Sequence, residues 1–390
     1  MRIRIYIEPS GAAVGGLEAT AAVLAEWLQR SHTVEILHRK PSLSIERLQE
    51  TFDCDLSRVT IRHLAVQPFE PYGLNPIARL ARARTWDREV SEGCDVLISL
   101  IHGLPPFCHA PIGILYVPFP FYRRPQLEHG VNGLAAIKAS AGLQYERFEW
   151  RRRFATYRLV TANSEYTRGW IRRFWGIDSS VVYAPVDPQA TRGDKEDLIL
   201  SVGRFTAGAH SKRQVEMMRA FASSSLAKTW RYVSAGTVAD NAADRQYVEQ
   251  VRDAGAGTRA SVVCGIPRDE LRSLYRRSRL FWHAAGFGAD QSVHPELMEH
   301  FGIVTVEAMA AGAVPIVVRR GGQPEIVEHA VSGYLWDDIA QLGTYSEELA
   351  RDSARWSAMS EAAITKARTF DGSQFIERFR AETMRVGVTL

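Results

Sequence analysis

The sequence predicts an α/β protein made of two doubly wound domains, each a parallel sheet with helices on both faces. Three observations support this fold class. Strand-like and helix-like patterns alternate along the chain, which is typical of parallel sheets. The alternation occurs as two series that meet near residues 186–196, where Pro185 and Pro188 interrupt regular structure and "TRGDKED" is polar and turn-like. At 390 residues the chain is also longer than one compact core usually accommodates.

The first series of elements starts with the strand-like stretch "RIRIYIE". In the following "LEATAAVLAEWLQR", Leu17, Ala21, Leu24 and Leu28 recur at helical spacing. Strands are then predicted at "HTVEILHR", "VTIRHLAV", "CDVLISLI" and "IGILYV". An amphipathic stretch over about 133–157 and a strand at "YRLVTANS" complete the series.

The second series starts with the strand "LILSVGRF" and continues with a helix from about Lys212. The strands "WRYVSAG", "ASVVCG", "RLFWHAAG" and "AVPIVV" alternate with a helix near 243–254 and the helix "RDELRSLYRRS". We therefore predict a first domain over residues 1–187 and a second domain over residues 188–372. Two such domains in tandem leave a cleft between the carboxyl ends of their sheets, where doubly wound folds bind ligands.

The composition excludes several classes of protein. Hydrophobic residues make up 46% and charged residues 24% of the chain, which is ordinary for a soluble globular enzyme. Four scattered cysteines without Cys-x-x-Cys spacing argue against a zinc site or a disulfide framework. The stretch "MRIRIYIEP" lacks the apolar core of a signal peptide, and no run of eighteen apolar residues occurs. We expect a cytoplasmic protein.

The positive charge is concentrated in the first half of the chain. Residues 1–190 contain 23 Lys and Arg against 19 Asp and Glu, whereas the remaining residues contain 25 of each. The stretch "LQYERFEWRRRFATYR", residues 143–158, interleaves aromatic residues with arginines. It is compatible with a helix that packs within the domain, with a contact to an anionic membrane at its inner face, or with nucleic acid. No fold motif supports nucleic acid, and we expect no such partner.

A glycine-rich turn follows the first strand. In "EPSGAAVGGLEAT", Gly11, Gly15 and Gly16 precede a helix, and glycines allow backbone to approach an anion at a helix N-terminus. The spacing is not G-x-G-x-x-G, so a dinucleotide site is not indicated. The turn is either an anion site or merely structural.

Two cations flank the loop after the first strand of the second series. In "SVGRFTAGAHSKRQ", Arg204 leaves the strand and Lys212 lies eight positions later, at the predicted start of a helix. A fork-shaped guanidinium and a point-charge ammonium that converge on one loop can clamp a diphosphate. The alternative is a basic surface loop.

Two carboxylates stand eight positions apart in "EHFGIVTVEAMAAGAVPIV". Gly302 is expected to start a helix, which places Glu299 just before it and Glu307 in its second turn. A carboxylate accepts hydrogen bonds from vicinal hydroxyls, so this pair can hold two sugar rings of one ligand with a diphosphate between them. The backbone N–H groups at this helix start suit a phosphate: those of Phe301, Gly302, Ile303 and Val304. The alternative is a loop charge and an exposed helix residue.

Three stretches together are similar to glycosyltransferase family 4: "GGLE", "VGRF…HSKRQ" and "PELMEHFGIVTVEAMAAGAVPIVVRRGGQPEIVEHAVSGYLW". The resemblance is dense over about residues 197–340 and thin over residues 1–190. It implies a retaining, nucleotide-sugar-dependent enzyme of the GT-B fold, with two Rossmann-like domains that face each other across a cleft. It also implies that a helix from about residue 373 packs back on the first domain, with four residues available for burial: Phe375, Ile376, Phe379 and Met384.

The resemblance implies a role for each matching residue. Glu307 would bind the nucleotide ribose, and Glu299 the hydroxyls of the donor hexose near its anomeric carbon. Arg204 and Lys212 would hold the diphosphate. The remaining donor-binding positions would be the phosphate turn at Gly15 and Gly16 and the base pocket at Cys264, Gly265 and Ile266. No metal ion or other cofactor is expected, because the two cations already neutralise the diphosphate.

One feature departs from the family pattern. Many members carry a histidine at the tip of a strand in the first domain, where this chain has Pro118 in "YVPFPF". His102 and His109 lie nearby, and either could be an ordinary loop histidine. His102 directly follows the strand "CDVLISLI", so we expect it to take the missing catalytic position rather than His109.

Asp53 and Asp55 in "DCD" resemble a metal-diphosphate motif but lie between a helix and a strand, and we interpret them as a surface turn. The leading hypothesis is therefore a metal-independent retaining hexosyltransferase. Mannose from GDP-mannose, or glucose or a related sugar from a UDP-sugar, would be transferred to a glycan or lipid-linked acceptor. The alternatives are a non-catalytic nucleotide-sugar-binding subunit and a sugar phosphorylase that would need a pyridoxal phosphate lysine.

Overall fold

The structure, a computed structural model, describes residues 1–8, 15–40, 43–64, 76–121, 148–186, 193–208 and 211–390. The chain forms two compact units. The first unit comprises Met1–Asn163, Thr167–Val182 and Ile376–Leu390. The second unit comprises Ser164–Tyr166 and Tyr183–Phe375. Gly11, Pro188 and most of the amphipathic stretch 133–157 lie outside the described residues.

The first unit contains a sheet of seven parallel strands in the order β3-β2-β1-β4-β5-β6-β7. Its strands are β1 Arg2–Ile7, β2 Thr33–His38, β3 Val59–His63, β4 Val96–Leu100, β5 Ile112–Val117, β6 Leu159–Ala162 and β7 Ser180–Val181. The helices between them are α1 Gly16–Leu28, α2 Ile45–Phe52, α3 Pro76–Ser91, a helix whose described part covers 148–154, and α4 Glu165–Trp175.

The second unit contains a sheet of six parallel strands in the order β10-β9-β8-β11-β12-β13. Its strands are β8 Glu196–Val202, β9 Arg231–Gly236, β10 Ala260–Cys264, β11 Ser278–His283, β12 Val314–Val318 and β13 Tyr334–Trp336. Its helices are α5 Gln214–Ser223, α6 Ala242–Ala254, α7 Arg268–Arg277, α8 Ile303–Ala310, α9 Gln323–Ile326, α10 Ile339–Arg351 and α11 Ser353–Ala367. The last helix of the chain is α12 Gly372–Arg385.

Two parallel sheets with alternating helices confirm the predicted α/β class. In each sheet the strand order runs outward in both directions from a central pair, β1 and β4 in the first sheet and β8 and β11 in the second. The connections therefore change direction there, and the carboxyl ends of that pair are where doubly wound folds bind ligands.

The central strands of the second sheet are buried on both faces because they carry runs of consecutive apolar residues. Leu200 and Phe281 belong to one hydrophobic cluster, together with Met309 of α8. Ile199 and Trp282, their neighbours along the strands, belong to the cluster on the opposite face. This alternation follows from side chains that point to opposite faces at successive strand positions.

Several helices begin where a short polar side chain accepts a hydrogen bond from the first turn. Ser44 caps α2, Asn241 caps α6, Asp338 caps α10 and Asp352 caps α11. Each side-chain oxygen satisfies a backbone N–H group that has no partner inside its own helix.

The end of the chain shows where the sequence pattern was incomplete. Phe375 and Phe379 are buried, and Phe379 packs on Trp27 of α1 within the first unit. Met384, predicted for burial, is 47% exposed, and Thr383 occupies the buried position instead. The reason is helical geometry: residues four apart share a face, and Met384 is five positions beyond Phe379.

The division between the units differs slightly from the expected one. The first unit reaches Val182, whereas the sequence placed the boundary between residues 187 and 188. Residues Ile376–Leu390 belong to the first unit. Within the described part of the chain, no helix combines the length and the apolar character needed to cross a membrane.

Candidate active site

The polar residues predicted for the second unit gather at the carboxyl edge of its sheet. Gly203 and Arg204 directly follow β8, and His283 is the last residue of the neighbouring strand β11. Glu299 lies in the segment that leads from β11 to α8, and Glu307 lies within α8. The loop after β8 brings Lys212 to Glu299, and the end of β11 brings His283 to the same carboxylate.

The loop after β8 holds both predicted cations. Arg204 is exposed, and its carbonyl accepts a hydrogen bond of 3.0 Å from the buried Gln214 amide. Lys212 does not open the helix as predicted, because α5 begins two residues later at Gln214. The Lys212 side chain instead crosses Gly203, where an added Cβ would lie 2.8 Å from Lys212 Cγ. Glycine at 203 therefore makes room for the lysine.

Helix α6 fixes both ends of this loop through two residues one turn apart. Asp244 accepts a hydrogen bond of 3.0 Å from the backbone N–H of Ala207. The Tyr247 hydroxyl lies 3.0 Å from Ser211 Oγ and 3.1 Å from Gln214 Oε1. These hydrogen bonds restrain the backbone of Ala207 and the side chains of Ser211 and Gln214, so these residues have less conformational freedom to lose on binding.

Glu299 is the centre of a hydrogen-bonded charge network. Lys212 Nζ lies 2.7 Å and His283 Nε2 lies 3.0 Å from the same oxygen, Oε2. Burial acts to raise the pKa of Glu299, but Lys212 and His283 outweigh burial and hold that pKa well below its usual range. Glu299 is therefore an anion at neutral pH. No described residue donates a hydrogen bond to its other oxygen, Oε1.

The second carboxylate is held differently. Glu307 is half-buried and accepts a hydrogen bond of 2.9 Å at Oε2 from the Tyr275 hydroxyl of α7. Burial raises the pKa of Tyr275 well above its usual range, so the tyrosine is a permanent donor. The two glutamates therefore have different partners on different elements, which keeps them apart as separate acceptors.

The start of α8 is shaped by close backbone approaches. Gly302 caps the helix at φ 120°, a conformation that favours glycine. A Cβ at Gly302 would lie 3.0 Å from the Gln323 amide nitrogen, and one at Gly322 would lie 2.6 Å from the His300 carbonyl oxygen. Phe301 is buried with its ring in the core, so only its backbone can face a ligand.

The residues predicted for the base pocket, Cys264, Gly265 and Ile266, lie at the end of β10, on the same edge but two strands away from β8. Gly265 has φ 67°, and its N–H donates to the Gly236 carbonyl at 2.9 Å. That hydrogen bond joins the ends of β10 and β9. Half-buried Cys264 and Ile266 pack their side chains against the hydrophobic clusters on the two faces of the sheet.

The first unit has its own polar residues at the carboxyl edge of its sheet. Gly15 caps α1, which begins at Gly16, and the Gly15 N–H donates to Glu18 Oε2 at 2.9 Å. Glu18 Oε1 pairs with Lys40 at 3.4 Å, and both side chains are buried. Both carboxylate oxygens of Glu18 in "GGLE" therefore have partners, one at the helix start and one in a buried ion pair.

His102 lies where its place in the sequence predicts, after the carboxyl end of β4. Its Nδ1 is 3.3 Å from the Phe119 carbonyl oxygen, and its ring stacks on Phe121 at 4.9 Å. Glu8, which follows β1, accepts hydrogen bonds from the backbone N–H groups of His102 at 2.7 Å and Gly103 at 3.2 Å.

His109 occupies the opposite edge of the sheet. Its backbone N–H donates to Ser91 Oγ at 2.9 Å, and it lies three residues before β5 begins. Pro118 directly follows β5, and its carbonyl accepts a hydrogen bond of 3.0 Å from Thr167.

Asp53 and Asp55 lie in the turn between α2 and β3. Asp53 ends α2 in the left-handed conformation, and Asp55 accepts a hydrogen bond of 2.9 Å from the Ser57 N–H. The part of the chain that the structure describes contains no group of three or more His, Cys, Asp or Glu able to hold a metal ion.

Sequence reasoning missed the residues that hold the carboxylates: His283, Gln323 and Tyr275. His283 carried a usable signal, because it is a polar residue at the carboxyl end of the buried strand "RLFWH". Gln323 and Tyr275 carried none, because their roles depend on two helices, α9 and α7, that only the fold brings to His283 and Glu307.

Two sequence families match consecutive parts of the chain. The family described as Glycosyltransferase Family 4 matches residues 14–190, and the family described as Glycosyl transferases group 1 matches residues 186–366. Together these matches extend over both units.

Curated relatives match shorter parts. A GDP-Man:Man(3)GlcNAc(2)-PP-Dol alpha-1,2-mannosyltransferase of Dictyostelium discoideum is 27% identical over 244 residues, 57% of this chain and 46% of the relative. A D-inositol 3-phosphate glycosyltransferase of Corynebacterium kroppenstedtii is 32% identical over 127 residues, 32% of this chain and 26% of the relative. The chain thus matches less than half the length of these relatives.

Solved structures share the fold over nearly the whole chain. Anabaena HepE, in complex with UDP and glucose, has a TM-score of 0.67 at 16% identity, covering 98% of this chain and 99% of that one. WaaG, a glycosyltransferase involved in lipopolysaccharide biosynthesis, has a TM-score of 0.67 at 14% identity with the same coverage. With both sequence families matched and this fold shared, the chain belongs to the glycosyltransferases of the family 4 type, which have the GT-B fold.

Proposed function

We propose that this glycosyltransferase is a retaining hexosyltransferase that binds its nucleotide-sugar donor at the carboxyl edge of the second sheet. The observation that carries the proposal is the Glu299 network, an ionised carboxylate whose Oε2 is fixed by Lys212 and His283 and whose Oε1 receives no hydrogen bond from the residues that the structure describes. A carboxylate of this kind is suited to accept hydrogen bonds from the hydroxyls of a hexose.

The remaining donor groups have matching partners in the same unit. Glu307, held by Tyr275, would accept from the ribose hydroxyls. Exposed Arg204, with Lys212 and the N–H groups at the start of α8, would hold the diphosphate. The end of β10, from Cys264 to Ile266, would contact the base. These cations give the charge neutralisation, so no metal is required.

The proposed reaction breaks the bond between the anomeric carbon and the diphosphate oxygen. Arg204 and Lys212 stabilise the negative charge that develops on the departing diphosphate. The acceptor hydroxyl oxygen forms the new bond on the same face of the sugar, and its proton passes to the leaving diphosphate oxygen. Retention rests on the family resemblance.

We assign the acceptor to the first unit, where His102 lies at the carboxyl edge of the sheet. The proposed acceptor is a glycan or a lipid-linked glycan. The proposed donor is GDP-mannose, supported by the mannosyltransferase relative, with UDP-glucose as the second candidate, supported by the UDP and glucose complex of HepE.

We also propose a peripheral membrane contact in the cytoplasm through the first unit. Arg151 and Arg152 on one helix and Arg172 and Arg173 on α4 are exposed, and nearby Phe148 is 57% exposed. Basic residues beside an exposed aromatic ring suit an anionic membrane surface. Sedimentation with anionic and with neutral vesicles tests this contact, and equal binding to both would contradict it.

The decisive experiment measures binding of GDP, UDP, GDP-mannose and UDP-glucose by thermal shift and calorimetry, followed by transfer assays with and without EDTA. A ligand at one hundred times its dissociation constant adds about 2.7 kcal/mol to folded-state stability. We expect one base to be preferred and activity to survive chelation. No binding by any of the four would overturn the proposal. Binding without donor hydrolysis or transfer would indicate a non-catalytic subunit.

A mutation of Glu307, the proposed hydrogen-bond acceptor for the ribose hydroxyls, tests this part of the site. Glu307→Ala should weaken binding of the nucleoside diphosphate, because hydroxyls lose a charged acceptor worth about 1.5–3 kcal/mol. Glu270→Ala, at an exposed position on α7, is the matched control and should bind like the wild type. Equal affinities in both variants would show that the ribose assignment is wrong.

A further inference from the structure

We propose that His283 is a positioning residue that aims Glu299 at the donor hexose and thereby sets the preference for the nucleotide sugar over the bare nucleoside diphosphate. This inference rests on the proposed function, because it assumes that Glu299 contacts the hexose. His283 itself contacts no ligand in this proposal, since its ring is only 2% exposed behind the carboxylate.

The argument starts from which oxygen of Glu299 is occupied. His283 Nε2 and Lys212 Nζ both approach Oε2, at 3.0 Å and 2.7 Å. Two donors on one oxygen fix the rotation of the carboxylate and leave Oε1 as the acceptor available to a hydroxyl. The two donors on Oε2 therefore set the direction in which the lone pairs of Oε1 point.

The two donors are not equivalent. Lys212 is an ammonium on a flexible stem, 23% exposed, and the proposed diphosphate competes for its charge. His283 is a rigid ring at the end of a central strand, with no access to the ligand. When the diphosphate draws Lys212 away, His283 is the donor that still holds Oε2. Its contribution is therefore largest in the donor complex.

Gln323 keeps the His283 ring in the required state. Its amide nitrogen lies 3.3 Å from His283 Nδ1, so the amide can donate to Nδ1 while Nε2–H donates to Glu299. Burial lowers the pKa of His283, which keeps the ring neutral with one donor and one acceptor nitrogen. Gln323 is itself fully buried, and glycine at 302 leaves room for its amide.

The test compares three variants by calorimetry with GDP, UDP and their mannose and glucose conjugates. His283→Gln keeps an N–H donor at similar reach, and His283→Leu removes it. His294→Leu removes a histidine of the same unit whose side chain is 57% exposed, and serves as the matched control.

We expect His283→Leu to lose at least about tenfold in affinity for the nucleotide sugar, because the charged acceptor Glu299 loses a hydrogen-bond donor. Its affinity for the bare diphosphate should stay within about twofold of the wild type. His283→Gln should recover most of the lost affinity, and His294→Leu should match the wild type. A merely structural role would weaken both ligands together and would not be rescued by glutamine.

Should His283→Leu fail to fold, Gln323→Leu tests the same network, with a smaller but equally selective loss expected. Unchanged preference for the nucleotide sugar in either folded variant overturns the inference, as does equal weakening of both ligands. The wild-type data separate this failure from failure of the proposed function. A wild-type protein that binds none of the ligands refutes the donor site itself, whereas normal wild-type binding with indifferent variants refutes only the role of His283.

Discussion

The two units each place a lysine–glutamate pair at the carboxyl edge of their sheet, and the two pairs have different surroundings. In the first unit, Lys40 and Glu18 are 3.4 Å apart with side chains 6% and 1% exposed. In the second unit, Lys212 and Glu299 are 2.7 Å apart with side chains 23% and 19% exposed. Residue types and position on the edge are the same, so neither decides what the pair does.

The difference lies in the oxygen atoms. Both oxygens of Glu18 have partners, Lys40 on one and the Gly15 N–H on the other. Both partners of Glu299 approach a single oxygen, and the other receives no hydrogen bond from the described residues. A buried carboxylate with both oxygens satisfied stabilises a fold, and one with an open oxygen can bind a ligand.

The largest expected effect is on stability and concerns Lys40 and Glu18, the closed pair, in which both carboxylate oxygens have partners. Glu18→Ala should lower the free energy of unfolding of the first unit by about 3–5 kcal/mol, because it removes one partner of a buried ion pair. Glu50→Ala on α2, at an exposed position, should change it by less than about 0.5 kcal/mol. Chemical denaturation measures both. Similar midpoints for the two variants would remove the distinction between a closed and an open pair.

The next effect is on binding and concerns Lys212 and Glu299, the open pair, in which both hydrogen bonds from the described residues go to one carboxylate oxygen. Glu299→Ala should cost about 1.5–3 kcal/mol in affinity for the nucleotide sugar, because the hexose loses a charged acceptor. The affinity for the bare diphosphate should be nearly unchanged, and stability should fall less than in Glu18→Ala. Calorimetry with both ligands decides the matter, and a loss confined to the bare diphosphate would reverse the assignments of Glu299 and Glu307.

A smaller effect is expected for the histidine of the first unit. His102→Ala should lower turnover at least about tenfold, which corresponds to about 1.4 kcal/mol in the barrier, with little change in affinity for the diphosphate. His109→Ala is the matched control, since His109 lies at the other edge of the same sheet. Initial rates with donor and acceptor give the comparison. Wild-type turnover in His102→Ala would leave this edge without a catalytic histidine.

The smallest effect is the pH dependence of the open pair. Burial lowers the pKa of His283 below its ordinary 6.5, so its contribution to stability is complete above that pH and declines as the pH falls below it. Glu299, with its pKa held well below 4.5, contributes fully above that value and loses its contribution only at lower pH.

As the pH falls from about 7.5 to 5, the melting temperature of the wild type should therefore decrease more than that of His283→Gln. Each kcal/mol corresponds to about 2–4 °C for a unit of this size. Other histidines cancel, because both proteins share them. Thermal melts at several pH values measure the difference, and parallel curves for the two proteins would argue against a buried neutral His283.

The sequence predicted much of the second unit because its information is local. Glu299, Gly302 and Glu307 stand within one short stretch, and a helix start read from that stretch places the three residues relative to one another. The start of α5 was misplaced by two residues because Arg213, in the left-handed conformation at φ 59°, precedes the helix. Sequence patterns locate element ends only approximately.

The roles of Gln323 and Tyr275 could not be predicted, because each contacts a residue from a distant part of the chain. Gln323 reaches His283 across 40 positions and Tyr275 reaches Glu307 across 32. In the first unit, Glu18 is part of a recognisable "GGLE", but the stretch does not reveal that both its oxygens are occupied. That information depends on Lys40, which follows the neighbouring strand.

The first unit is discontinuous in sequence, and this affects the order in which the two units can fold during translation. Residues Ile376–Leu390 complete the first unit, yet they are translated after all of Tyr183–Phe375. The nascent second unit can therefore form its core before Phe379 has been synthesised and can pack on Trp27 of the first unit. Domains generally fold as units during synthesis, so the first unit stays incomplete the longest although most of it is made first.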